Sequence, residues 1–408
     1  MNNRRHEQGA WWAGWVGHMP RVTSLLQERA WLSPWVVPKT INSILRAIGI
    51  VAFANSPLSG LLILAAMFVG NPDVGWACLL AGVIGVIFAK LLNQPEDLLN
   101  DGVVVFNGIL VACISVAVFP SLSGHQVDSI FWGLLVVMLV VTAYIDKGLN
   151  ALMAPSKLPA LSIPFNIAAV LLLLSLRGSV GMTGTHTPNA VMEGNGSGDG
   201  NVNLTLGDEN ESLLQLEGNV SEINWLKVAE GTVLAAGQIY GVGTMDSSIL
   251  VLLGFLVFSP LLTTFFLLGS IIGSTLGAVM SVAPYSEVYA GLWGYNAMLS
   301  AGGTVYFLHV TPSSTLAAVI CATLAALTQA ASLHVFSAMT VPVLSYPFNV
   351  ATLLILAISK APNPPLLWVT IKTFPEHHIF THLKGHRRED SLDPEENHQE
   401  FPLSITNK

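Results

Sequence analysis

Ionised side chains are scarce in this chain. Of 408 residues, 17 are Lys or Arg and 25 are Asp or Glu, so 10% are charged while 52% are hydrophobic. Soluble domains carry roughly 25% charged residues. The deficit excludes the two or three soluble domains that length alone would suggest. Two stretches, Val103 to Gly124 and Ile249 to Val282, hold no ionised side chain at all. A helix needs about 20 apolar residues to cross the hydrocarbon core, so these stretches read as spans. The expected fold class is an all-α polytopic membrane protein, with the lipid bilayer as its first partner.

Cysteine is nearly absent too. Cys78, Cys113 and Cys321 all sit in apolar runs without CxxC spacing, which points to buried, inert thiols and no disulfide framework. Also missing are a Gly-rich phosphate loop, an HExxH pair and a Ser/His/Asp set, so no catalytic residue, cofactor or nucleic acid is expected and the chain does not read as an enzyme. His378, His382 and His386 have the i, i+4 spacing of helical metal ligands,. Gly385 and the polar tail around them favour a solvated segment, and no metal site is expected. The few membrane charges argue against a proton relay or a Na⁺-coupled pump, which usually need paired carboxylates. No continuous apolar core opens the chain, so insertion is expected to rely on the first true span.

The charges that exist are unevenly placed. Lys and Arg cluster between Arg4 and Arg46 and again between Lys360 and Lys408, while none falls between Gly178 and Leu226. That middle loop instead carries Glu193, Asp199, Asp208, Glu209, Glu211, Glu217 and Glu222. The positive-inside rule places both termini in the cytosol and the loop outside. Glycosylation sequons at Asn195, Asn203, Asn210 and Asn219 agree with that placement,. The domain expectation is a cytosolic segment over 1–40, a first transmembrane repeat over 41–178, an extracellular acidic loop over 179–228, a second repeat over 229–360 and a cytosolic tail over 361–408.

Within the repeats, motifs recur in order. "FANSPLSGLLIL" (53–64) resembles "LVFSPLLTTFFLL" (256–268), "DGVVVFNGIL" (101–110) resembles "AGLWGYNAML" (290–299), and "LPALSIPFN" (158–166) resembles "VPVLSYPFN" (341–349). The separation within a pair shrinks along the chain, as duplication followed by insertions and deletions would leave it. About five spans per half, an odd number, would invert the second half relative to the first. Inverted-topology repeats place a substrate site near the midplane, at the pseudo-two-fold axis. "QPEDLLNDG" (94–102) and "APYSEVYAG" (283–291) are too short and polar to span. They read as interhelical loops or as re-entrant half-helices lining a water-filled path.

Candidate site residues follow from the repeats. Ser162 and Ser345 precede Pro164 and Pro347 by two residues, so each hydroxyl either satisfies a carbonyl freed by its proline or faces its counterpart across the axis. A hydroxyl donates and accepts, which suits a neutral solute better than an ion. Gln238 is either glue between helices or an oxygen offered to a solute N–H. Glu287 is the intramembrane acid unless its segment lies at the rim. Asn107 and Asn296 match by repeat and more often lock packing than touch substrate. Phe165, Phe348, Phe106 and Tyr295 are either core or the flat walls of a slot for planar molecules.

These residues resemble the urea transporter family. "NSPLSGLLIL" looks like its NNPxSGxLIL segment, "GLWGYNAML" its GLxGYNxxL motif, "LPALSIPFN" its LPxFTLPFN signature, and "GQIYG" (237–241) is shared. "INSILRAIG" resembles the helix entering the first motif, and the likeness covers about 41–178 and 225–358. The resemblance implies a glycosylated plasma-membrane homotrimer with one pore per protomer, each lined by two re-entrant half-helices. It further implies channel-like, passive urea movement along an aromatic slot flanked by a ladder of oxygens. By position the family's two central threonines fall on Ser162 and Ser345, and its second-half glutamine on Gln238. The first-half glutamine falls on Ile50, "APFED" reads "APYSE" with Ser286 where a glutamate is expected, and the first GLxGYN reads "GVVVFN". These departures motivate a second expectation, the same pore conducting another small neutral solute such as an amide, water or glycerol. A third is a non-conducting membrane scaffold.

Overall fold

A computed structural model describes residues 17–31, 33–179, 222–369 and 373–380. The four sequons, His382 and His386 lie outside the described residues. Helix α1 (Pro20–Gln27) precedes two runs of helices in the same order. The first is α2 (Val36–Ile50), α3 (Pro57–Gly70), α4 (Pro72–Leu91), the short α5 (Glu96–Asn100), α6 (Phe106–Ser123), α7 (Ser129–Met153) and α8 (Ile163–Ser179). The second is α9 (Trp225–Gln238), α10 (Met245–Phe258), α11 (Pro260–Met280), the short α12 (Ser286–Tyr289), α13 (Gly294–Phe307), α14 (Pro312–Ala338) and α15 (Tyr346–Ile358). Among the described residues the only extended pairing is one bridge, Leu308 to Trp368.

Local chemistry sets the helix starts. Asn71 accepts from the Asp73 amide and Ser259 from the Leu262 amide, each just ahead of a proline in the first helical position. These caps satisfy amides that the first turn leaves without partners. Asp128 caps α7 in the same way, and Thr311 with Ser314 forms a capping box on α14,. Among the described residues, five stretches are long and apolar enough to cross a membrane: α4, α6, α11, α14, and α7 extended to Ser156.

The element order corrects one sequence pairing. Pro57 opens α3, whose counterpart is α10, opened by Met245, while Pro260 opens α11, the counterpart of α4 and Pro72. The likeness of "NSPL" to "FSPL" therefore joins two different interhelical turns, because Asn or Ser followed by Pro opens α3, α4 and α11 alike. The other two pairings agree with the element order. A second correction concerns Pro164 and Pro347. Each lies in the first turn of a helix, α8 or α15, and neither interrupts a preceding one. The carbonyls that their missing amides were expected to leave unpaired are accordingly not the partners of the serines.

Matched helices meet in the interior: α3 packs on α10, and α8 touches α15. Short helices α5 and α12 end at Gly102 and Gly291, with φ of 74° and 81°, a region that costs glycine nothing. A Cβ at Gly102 would lie 2.3 Å from the Ala47 nitrogen of α2, and one at Gly291 would lie 2.6 Å from the Ala235 nitrogen of α9. Both turns press on the same point of the leading helix in their half, and both demand glycine.

Candidate functional site

The segments before α8 and α15 pack against each other in the centre of the molecule. Leu161 and Leu344 hold left-handed backbone, φ 49° and 51°, a strained conformation for a branched side chain. An asparagine ties each one down. Asn107 donates to the Leu161 carbonyl at 3.3 Å and to Asp146 Oδ1 at 2.8 Å. Asn296 donates to the Leu344 carbonyl at 3.1 Å and to Gln329 Oε1 at 3.0 Å. Both asparagines thus lock packing.

Past each clamp, the chain turns a serine inward. The Ser162 and Ser345 hydroxyls lie 2.6 Å apart, both buried. Asn166 donates to the Ser162 carbonyl and to Ser345 Oγ, both at 2.8 Å. Asn349 donates to the Ser345 carbonyl at 2.8 Å and to Ser162 Oγ at 3.1 Å. Each amide therefore grips its own half and the hydroxyl of the other. The set closes if Ser345 donates to Ser162, which donates in turn to Asn349 Oδ1 at 3.3 Å. The pairing breaks in one place: Asn349 Oδ1 also accepts the Ser162 amide, whereas the buried Asn166 Oδ1 has no partner among the described residues.

Cavities lie on either side of this pair. The larger, about 610 Å³, is lined by Phe165, Gln238, Glu287, Tyr295, Phe348 and the two serines, among others. The smaller, about 110 Å³, includes Ile50, Phe106, Phe348, Ser162 and Asp146 in its wall. Ser162, Val51 and Phe348 belong to both walls. The larger cavity is mainly apolar, with fixed polar groups. Gln238 donates to the Ala290 carbonyl at 2.8 Å and leaves its Oε1 unbonded among the described residues. Tyr295 donates to the Leu344 carbonyl at 2.6 Å. Glu287 is exposed and lines the larger cavity. Ser286 is exposed at the start of α12 and lines neither cavity. The smaller mouth has Ile50 where the larger has Gln238.

Sequence reasoning left three groups without a role. Asn166 and Asn349 stood inside the repeated nonapeptide, and their matched positions were a signal. Asp146 stood in α7 with only Lys147 for ionised company. Arg46, fully buried in α2, gives its N–H groups to Asn42, Asn55, Thr23 and the His18 carbonyl. That cluster ties the N-terminal segment to the membrane helices. His18, half-buried there near Arg46 and His377, is held down at about 4, chiefly by burial. Glu376 completes the contact by accepting from Ser259 Oγ at 2.7 Å and from the Leu261 amide at 2.8 Å, at the N-terminus of α11. His378 accepts the Thr373 amide at 3.1 Å.

Apolar spanning helices that surround paired, aromatic-walled cavities define a polytopic membrane transporter rather than an enzyme. A family model described as urea transporter matches residues 41–360. Similar proteins include "Urea transporter 1" of Rattus norvegicus, 30% identical over 380 residues (91% of this chain, 90% of the relative). "Urea transporter 1" of Capra hircus is 29% identical over 364 residues, 85% of each chain. The chain belongs to the urea transporter family.

Proposed function

We propose that each protomer forms its own pore, through which urea moves passively down its gradient, and that Ser162 and Ser345 are its constriction. The observation that carries this reading is the hydrogen-bonded serine pair between two aromatic-walled cavities. A planar, neutral solute leaving water must replace its hydrogen bonds, because an unpaired polar group costs about 1–3 kcal/mol. The serine hydroxyls can exchange their mutual bond for bonds to the solute, while Asn166 and Asn349 hold them in place. No net charge moves, so the passage needs no buried counter-ion. Phe165 and Phe348 stand beside the pair as slot walls, with Phe106 on the small side and Tyr295 on the large one.

Several further features belong to the same reading. Contact between matched helices, α3 with α10 and α8 with α15, is what a two-fold axis between inverted repeats would produce,. The Lys/Arg bias supports cytosolic termini and an extracellular middle loop, and with it a plasma-membrane glycoprotein. On that topology the smaller cavity faces the cytosol. The homotrimer rests on the family resemblance. The repeats are assigned to 41–178 and 229–360; the two runs of helices begin a few residues earlier, at Val36 and Trp225.

Urea flux into proteoliposomes, run beside acetamide and glycerol, tests the proposal. Urea entry well above protein-free vesicles is expected. A bilayer-like urea rate with fast glycerol entry would favour the second reading, another small neutral solute, which Ile50 at the small mouth motivates. No flux of any solute would leave a scaffold.

A further inference from the structure

One difference between the matched clamps lies in the acceptor that each asparagine holds. Gln329 spends both ends of its amide: Oε1 accepts from Asn296, and Nε2 donates to the Leu292 carbonyl at 2.8 Å. Asp146, at the corresponding place, accepts from Asn107 through Oδ1. The Asn150 side chain lies beside its carboxyl, which is 4% exposed and lines the smaller cavity. No cation neutralises it: the adjacent Lys147 donates to the Leu92 carbonyl instead, and the one ion pair among the described residues is Lys90 with Glu96.

A carboxylate buried without a counter-ion is costly, and the rest of this cavity is suited to a cation. Phe53 packs on Tyr306 at 5.1 Å and on Phe348 at 6.1 Å between ring centroids, and all three rings line the wall with Phe106. Aromatic faces attract cations through their quadrupole. Asn150 also lines the wall, its Nδ2 fixed on the Asp146 carbonyl at 2.9 Å, leaving Oδ1 as a further acceptor. The cavity is small, about 110 Å³.

We infer that this cavity binds a small planar cation of the guanidinium class, with Asp146 as its counter-ion. Guanidinium has the shape and electron count of urea with the oxygen replaced by N–H₂, so a slot for one admits the other. The charge is what separates them. Parallel N–H bonds reach Oδ2 and the second lone pair of Oδ1, the fork geometry that carboxylates favour. The shape argument rests on the urea-pore reading; the counter-ion argument does not.

Radiolabelled guanidine binding to the full chain in lipid nanodiscs tests the site, beside urea flux in proteoliposomes. Saturable binding is expected, weakened at least about tenfold in Asp146→Asn and retained in Asp146→Glu. Because the Asn variant could fail to fold, a wild-type readout accompanies it: guanidinium should block urea flux from the Asp146 side of oriented vesicles and not from the other. Equal binding by wild type and a folded Asp146→Asn, absent binding, or equal block from both sides overturns the inference. Asp146-dependent binding without any urea flux would instead sink the pore reading and leave the site standing.

Discussion

Asn349 donates its amide to Ser162 Oγ at 3.1 Å while Asn166 donates to Ser345 Oγ at 2.8 Å, so each half of the chain holds the other's serine. The hydrogen-bonded serine set is therefore a property of both halves, and no single half can build it.

Removing one hydroxyl should slow urea. Ser162→Ala or Ser345→Ala takes one of their partners from an asparagine amide and from the opposite serine and deprives the solute of an exchange site. A loss of about 1–3 kcal/mol per missing bond corresponds to about a 5- to 150-fold fall in permeability, read by stopped-flow light scattering. Unchanged permeability in both variants would make the serines purely structural. Valine is the poorer probe: at a 2.6 Å contact its extra carbon over-packs the centre,.

Asn296→Ala should destabilise the fold. Gln329 Oε1 loses its donor and the strained Leu344 loses one of its two ties, Tyr295 remaining. The expected cost is about 2 kcal/mol, measured as a lower unfolding midpoint in detergent. A midpoint within error of wild type would contradict the clamp.

Gly291→Ala should impair assembly more than an ordinary surface change. The new Cβ meets backbone at 2.6 Å with φ at 81°, and neither can relax without moving α9. Poor yield or aggregation by size exclusion is expected. A monodisperse, full-flux variant would show that the turn tolerates a side chain.

Acidification should loosen the terminal contact. His18 is neutral in the folded chain down to about 4, while in an unfolded chain it takes up a proton near pH 6.5. Its depressed value means that the unfolded state binds more protons between those limits, so its contribution is complete above pH 6.5 and declines as pH falls towards 4. Hydrogen exchange across 17–27 should rise over that window, and His18→Gln should flatten the response. A wild-type profile without that slope would sever His18 from the docking.

The sequence by itself determined much of this protein. Too few charges to dress a soluble surface, and apolar runs the length of a bilayer, leave a helical membrane fold as the available solution. The repeated nonapeptide marked Ser162 and Ser345 by their matched positions. Order and period are local properties, and a sequence displays them directly.

Tertiary structure decided the rest. Which turn in one half answers Pro57 depends on where helices end, and Asn/Ser–Pro starts too many of them to tell. Whether a serine meets a carbonyl or another serine depends on chains brought together across 183 residues. Asp146 and Gln329 look unrelated as letters and become counterparts only through the asparagines they hold. Hydrogen bonding is directional and short-ranged, so the roles of buried polar groups are settled only when packing aims them.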